Sequence, residues 1–254
     1  MNTLEKFDWQ TLLSLHYWTD SLLSFTLSRP PGYQFVPGQY SRLGLPDAHG
    51  NMLWRAFSVV SGPAEQALEY YGVIVPGGLF TTRLKALQPG ERIGLDRQVF
   101  GYMTANRFTD GESLWLMATG TGLGPYISML RDGAIWEEFA RVVVVHGARH
   151  ATDLSYTEEL RALAGASPGR LQLVQAVTRD SSLGPGVLRG RLTELLKSGA
   201  LEAAAGATLD PATARVMLCG NPQMIDDMRG LLHERGMRPV RRMTPGQFIT
   251  ENYW

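Results

Sequence analysis

Three stretches of this chain carry residues whose types and spacing suit phosphate. In "MATGTGLGPY", Gly120, Gly122 and Gly124 follow an apolar run and precede a helix-like segment. Bare backbone amides there can approach a pyrophosphate at a helix N-terminus. The spacing is G-x-G-x-G, only loosely that of a dinucleotide loop, and a tight strand-to-helix turn would carry the same glycines. In "VIVPGGLFTTRL", Gly77 and Gly78 precede the hydroxyls of Thr81 and Thr82. In "LWRAFSVVSG", Arg55 interrupts a run of apolar, β-prone residues, and a guanidinium in a buried strand needs an anionic partner. Backbone amides, a hydroxyl and a guanidinium together make a pyrophosphate site.

The strand after the glycine loop discriminates between nucleotides. An NAD site places an Asp or Glu about 20 residues beyond the glycines, accepting from the ribose hydroxyls. After "RVVVVHGAR" that place holds Arg149, with no acid before Asp153. An arginine there favours a 2'-phosphate, hence NADP. Arg179, after the next apolar run, and Arg191, in "LRGRL", could converge on the same phosphate. Each alone also reads as an ordinary surface arginine.

These residues need elements to hold them. Up to about Gly101, short alternating segments are separated by "SRPPG", "VPGQ", "LPDAHGN", "SGPAEQ", "VPGG" and "QPGER", the texture of an antiparallel barrel or sandwich. Strands are expected at 22–27, 40–45, 55–60, 68–75 and 92–95, with a short helix at 81–86. After Asp110, "SLWLMATG", "RVVVVHG", "LQLVQAV" and "ARVMLCG" are apolar runs of strand length. They alternate with helix-like "GPYISMLRDG", "SYTEELRALA", "LTELLKSGALE" and "PQMIDDMRGLLHERG". That alternation implies βαβ units and a parallel sheet buried on both faces. "EAAAGATLDPATA" reads as an exposed connection, and the boundary falls between Tyr102 and Glu112.

Composition limits the partners. The 254 residues are enough for two domains. Twenty-four basic residues balance twenty-four acidic ones, so nothing global draws the chain to nucleic acid or an anionic membrane. The single cysteine, Cys219, excludes an internal disulfide and a cluster held by several cysteines. His16, His49, His146, His150 and His233 show no metal-site spacing, and no metal is expected. With Glu5 and Asp8 where a signal peptide wants basic residues, and no run of about 20 apolar residues, a cytoplasmic protein is expected.

Taken in order, the motifs resemble those of the ferredoxin-NADP reductase family. "RAFS" is similar to its R-x-[YF]-S flavin motif, "GLFTTRL" to its phosphate loop, "GTGLGPY" to its pyridine-nucleotide loop and "CGNPQM" to its nicotinamide-side loop. "HGARHATDLSY" and the terminal "ENYW" resemble the bacterial ferredoxin/flavodoxin-NADP reductases more narrowly, and the likeness runs from "FVPGQY" to Trp254. It implies a β + α/β fold: an antiparallel FAD-binding β-barrel over residues 1–106, then a parallel-sheet NADP-binding α/β domain over 107–254 with a flavin-stacking tail.

By that resemblance, Arg55 binds the FAD pyrophosphate, Phe57 covers one isoalloxazine face and Ser58 lies near flavin N5. Ala56, Tyr71, Leu79, Phe80, Thr81 and Thr121 match further FAD contacts. The family more often has tyrosine at the place of Phe57; stacking survives the change, while a phenol hydrogen bond does not. Tyr253 would stack on the other flavin face and Trp254 on the adenine, or the pair would simply anchor the tail. Glu251 would be a charge beside the flavin edge, or a solvated glutamate. Cys219 would orient nicotinamide by packing beside C4, or be a small buried hydrophobe. Ser58, Cys219, Glu251 and Tyr253 form the implied catalytic set. Gly122, Ala148, Arg149, Thr178, Arg179, Arg191, Asn221, Pro222, Gln223 and Asp227 fall on the NADP side.

The implied activity is exchange of hydride with NADP(H), through flavin N5, and of single electrons with a carrier, ferredoxin or flavodoxin. With one cysteine and no spare length here for a fused plant-type ferredoxin, the carrier is expected to be a separate protein. "RPVRR", Arg238 to Arg242, is either its basic docking surface or a solvated charge cluster. A monomer is expected. A reductase component feeding an oxygenase and a non-enzymatic FAD-binding interaction module remain the alternatives.

Overall fold

Turn residues divide the first hundred positions into strands that are too short to stand alone and must share one core. The computed structural model describes residues 6–242 and 244–252. Its first compact unit holds residues up to Thr104 together with Gly124–Asp132. The strands are β1 (Phe7–Tyr17), β2 (Leu22–Ser28), β3 (Tyr40–Pro46), β4 (Met52–Ser58), β5 (Ala67–Val73) and β6 (Arg92–Phe100). They pair antiparallel in the order β4-β3-β6-β1-β2-β5. A bridge between Val59 and Tyr70, with Val60 N–H donating to Glu69 O at 2.9 Å, links the two ends and closes the barrel. The bridge lies just beyond the end of β4, so β4 itself keeps a free edge along its length.

Inside, Leu12, Phe25, Leu43, Phe57, Tyr70 and Leu95 form part of one apolar cluster. Two tyrosine hydroxyls enter it and meet at Ser41, whose Oγ lies 2.8 Å from Tyr33 Oη and 3.1 Å from Tyr70 Oη. Burial pushes the Tyr33 phenol up to about 12, so both phenols are neutral. Helix α1 (Leu79–Ala86) follows the Gly77-Gly78 turn. Helix α2 (Gly124–Asp132) groups by its contacts with this unit. Ser128 Oγ donates to Ser61 O at 2.7 Å and Arg131 Nη1 lies 2.6 Å from Glu69 Oε2.

The second unit takes Ala105–Leu123 and the residues from Gly133 on. Here the apolar runs become β7 (Ser113–Thr119), β8 (Arg141–Ala148), β9 (Leu171–Val177) and β11 (Ala214–Gly220), with short β10 (Val187–Arg189) and β12 (Phe248–Asn252) at the edges. All neighbours run parallel in the order β10-β9-β8-β7-β11-β12. Their continuous apolarity reflects burial on both faces: Val142 to Val145, for example, are all fully buried. Helices α3 (Ile135–Glu138), α4 (Thr157–Ala166), α5 (Leu192–Lys197), α6 (Ala200–Ala205) and α7 (Pro222–Glu234) connect the strands. The segment "LTELLKSGALE" is two helices because Gly199 adopts φ +76° between α5 and α6. Among the described residues no helix is long and apolar enough to cross a membrane.

Candidate functional site

In the first unit, β4 pairs along its length with β3 alone, and its burial falls away towards Arg55 and Ala56, which are exposed. Arg55 is therefore not a buried charge. Its Nη1 donates to the neighbouring Trp54 O at 2.7 Å, and among the described residues no carboxylate pairs with it. A guanidinium held out from an edge strand without an acid is open to an external anion.

Two residues further on, Phe57 turns into the barrel. Its ring meets Phe25 edge-on at 5.6 Å and Phe80 at 5.5 Å, and a Cβ on Gly72 would lie 2.7 Å from its Cε1. Only 8% of the residue is exposed, so little of either ring face is left uncovered. A phenylalanine at this place avoids carrying a hydroxyl into the apolar cluster. Ser58, of opposite strand parity, is buried, as is Tyr71 on β5.

At α1 the chain builds a bare helix start. Gly78 is the N-cap with no side-chain cap and no acid in the first turn. Thr81 Oγ1 accepts the Val75 N–H at 3.1 Å and so closes the turn. A Cβ on Gly78 would lie 2.8 Å from that oxygen, so a larger residue there would have to displace the Thr81 hydroxyl that closes the turn. Leu79 is exposed, Phe80 is in the core, and the first-turn amides at Leu79–Thr81 have no partner within the helix. The arrangement offers N–H groups and the positive helix end to an anion.

In the second unit, the chain runs from β7 through β8 and β9 to β10 on one side and returns to β11 and β12 on the other. The reversal between β7 and β11 is the topological switch point, where α/β sheets bind ligands beyond the strand ends. The glycine loop, a tight turn at Gly120–Leu123, lies there. Gly122 fits because a Cβ would drive into the backbone of Cys219 and Gly220, the latter's N being 2.8 Å away. Thr119 Oγ1 accepts the Asn221 N–H at 2.9 Å, and Asn221 Oδ1 caps α7 by accepting from Met224 N at 3.2 Å. Pro222 starts α7; Gln223 Nε2 donates to Asp227 Oδ1 at 2.8 Å, so these two side chains engage each other on the exposed side. Thr121 is half-buried in the loop.

Cys219 is fully buried and stands in register between Ala118 on β7 and Glu251 on β12. Glu251 Oε2 is buried without a hydrogen-bond partner among the described residues. Burial pushes its carboxyl up to about 7. The sheet thus places a group that exchanges a proton near neutrality beside the switch point.

That environment has a measurable consequence. Folded chains keep the Glu251 proton up to about pH 7, whereas unfolded chains lose it near 4.5. The folded state binds the extra proton between those values, so this group makes stability fall as pH rises through that window. The loss is at most about 3 kcal/mol. Glu251→Gln removes the slope, and its urea midpoint is expected to exceed the parent's at pH 8 more than at pH 5. Equal differences at both pH values would contradict the assignment.

His146, which reads as unremarkable in the sequence, lies under the glycine loop. It is fully buried, its Nε2 is 3.2 Å from Gly120 O, and burial pushes it down to about 4. A carbonyl can only accept, so Nε2 carries the proton of a neutral ring that fixes the loop's first carbonyl.

A second cluster forms at the ends of β8 and β9. Thr178 N–H donates to Ala148 O at 3.2 Å, Arg179 N–H to Arg149 O at 2.9 Å, and Gly190 N–H to Val177 O at 3.0 Å. These bonds bring Ala148, Arg149, Thr178 and Arg179 together, with Arg191 one residue beyond Gly190 as the N-cap of α5. Arg149, Arg179 and Arg191 are exposed, and among the described residues none pairs with a carboxylate. Tyr253 and Trp254 lie outside the described residues.

Residues 116–230 match the family model of the oxidoreductase NAD-binding domain. A flavodoxin/ferredoxin-NADP reductase of Shigella flexneri is 40% identical over 250 residues, spanning 97% of this chain and 99% of that protein. One of Escherichia coli (strain K12) is 39% identical over the same shares. The crystal structure of a ferredoxin NADP+ reductase from Neisseria gonorrhoeae with bound FAD and NADP matches with a TM-score of 0.93 at 34% identity. It covers 98% of this chain and 99% of that one. With relatives this similar over nearly its whole length, the chain belongs to the flavodoxin/ferredoxin-NADP reductase family.

Proposed function

We propose that this protein is an FAD-dependent reductase that carries electrons between NADP(H) and a separate ferredoxin or flavodoxin. The observation that carries the reading is the set of three exposed arginines, Arg149, Arg179 and Arg191, which follow the ends of β8, β9 and β10 and, among the described residues, pair with no carboxylate. A dianionic 2'-phosphate is the partner such a set selects. The first unit's donor set fits an FAD pyrophosphate: Arg55 supplies a guanidinium that pairs with no acid among the described residues, and the uncapped α1 supplies amides beside Gly78, where a Cβ would crowd the Thr81 hydroxyl. FAD supplies the link between a two-electron hydride donor and one-electron carriers.

The chain's own residues then divide the work. Arg55 and the amides at Leu79–Thr81 hold the pyrophosphate. Phe57 anchors β4 in the barrel, so that Ala56 and Ser58 would keep a fixed position along a bound flavin, with the Ser58 hydroxyl orienting its reactive edge. Tyr71, Phe80 and Thr81 would stiffen that wall, and the exposed Leu79 would lie against the cofactor. Gly122, Cys219 and the Asn221–Gln223 start of α7 form the nicotinamide seat, and Glu251 holds a proton on its carboxyl. Arg238, Arg241 and Arg242 are exposed and suit an acidic carrier. The protein works as a monomer in the cytoplasm; light scattering tests the first point.

Steady-state assays with ferredoxin or flavodoxin as acceptor test the reading. Carrier reduction is expected with NADPH, and Arg149→Ala is expected to raise KM for NADPH about 10–100-fold while leaving NADH within twofold. Equal loss for both nucleotides would overturn the 2'-phosphate assignment.

A further inference from the structure

Asp180 follows Arg179 directly, where a free carboxylate would repel a phosphate dianion. Both of its oxygens are engaged instead. Oδ1 lies 2.7 Å from His150 Nδ1, and Oδ2 accepts the Ala151 N–H at 2.5 Å. The Ala151 amide first, and then the His150 ring, hold this carboxyl below its ordinary range, so it is ionised and committed at neutral pH.

These two contacts extend a series. Thr178 N–H to Ala148 O and Arg179 N–H to Arg149 O continue the β8–β9 ladder past the strand ends. Asp180 adds two further cross-links one residue on, to the turn that starts at His150. That turn is tied to itself by Asp153 N–H donating to His150 O at 3.0 Å and by His150 N–H donating to Asp153 Oδ2 at 3.2 Å. Arg149 and Arg179 are thus flanked by backbone bonds on one side and by the Asp180 contacts on the other. Neither guanidinium is part of the clamp.

We infer that Asp180 is a positioning residue for nucleotide selectivity: by gripping His150 and the Ala151 amide it locks the Arg149 turn to the Arg179 turn and fixes the spacing at which the two guanidiniums meet a 2'-phosphate. This rests on the 2'-phosphate reading of Arg149 and Arg179. It also opposes simple charge counting, since deleting a negative charge beside a dianion site should by Coulomb's law tighten NADPH. The clamp predicts the reverse.

The test measures kcat and KM of the FAD-loaded enzyme with NADPH and with NADH for the parent, Asp180→Ala, Asp180→Asn and Arg149→Ala, with FAD content and flavin circular dichroism as checks on folding. Asp180→Ala is expected to raise KM for NADPH about 5–10-fold, with kcat and the NADH constants within twofold. Asp180→Asn, which keeps an oxygen for the Ala151 N–H, recovers at least half of that loss on a logarithmic scale. An unchanged or lowered KM for NADPH in Asp180→Ala overturns the inference, as does an equal rise for NADH, which marks a purely structural role. If Arg149→Ala leaves the NADPH/NADH preference unmoved, the 2'-phosphate reading fails and takes the clamp with it. If Arg149→Ala shifts the preference and Asp180→Ala does not, the clamp alone fails.

Discussion

Arg55→Ala is expected to fold like its parent and to bind FAD about 10–100-fold more weakly, the loss of one charge-assisted contact to a pyrophosphate. The two halves of that expectation come from the same observation. Arg55 is exposed and its bond within the protein goes to the carbonyl of its own neighbour, so truncation leaves no buried donor unsatisfied and no cavity. Surface changes of this kind stay within about 0.5 kcal/mol. Equilibrium binding of FAD to the stripped protein, beside a urea midpoint, separates affinity from stability. An unchanged Kd would move the pyrophosphate away from β4.

Gly122→Ala is expected to cut kcat/KM for NADPH by about 100-fold, because a misplacement of about 1 Å in a positioning loop has that scale of effect. The methyl would press on the Cys219 carbonyl carbon at 2.6 Å and Gly220 N at 2.8 Å. That backbone cannot yield, since β11 is paired to β7 on one side and β12 on the other. The loop must move instead, with a stability loss of about 1–3 kcal/mol from overpacking. Gly124→Ala is the control: its methyl meets the Val60 Cγ2 at 3.3 Å, a side-chain contact that can relax, and a few-fold effect is expected. Equal effects at the two positions would contradict this, showing that the close approach of Gly122 to the β11 backbone is not what sets the position of the loop.

The three glycines read alike in the sequence, and only the structure separates them. What could be read directly was whatever depends on local pattern. Buried parallel strands are apolar on both faces, so "RVVVVHG" and "ARVMLCG" announced themselves, as did the turn-punctuated barrel. β1 was missed because its eleven residues pair with β6 first and β2 later, with a shift in register between Leu12 and Ser14 that breaks its alternation. β10 has three residues and β12 is half polar, so neither shows a period.

At the site, residue types were legible and environments were not. Arg55 reads as buried because its sequence neighbours are apolar; an edge strand exposes it. Phe57 reads as a ring free to stack, whereas the barrel covers most of it. His146 acts on a carbonyl 26 positions away, and Glu251 acquires its raised pKa from burial that no neighbouring residue type reveals. The Asp180 contacts reach across 30 positions to His150 and 29 to Ala151, a pairing set by the β8–β9 register rather than by spacing.

The central claim is that this chain passes electrons from NADPH to its flavin and selects NADPH by its phosphate. An anaerobic titration of the FAD-loaded protein with NADPH, and with NADH on a fresh sample, followed by flavin absorbance, tests both parts at once. The account predicts bleaching at near-stoichiometric NADPH and at far higher NADH. Flavin that stays oxidised with both nucleotides, or bleaches equally with each, would contradict it.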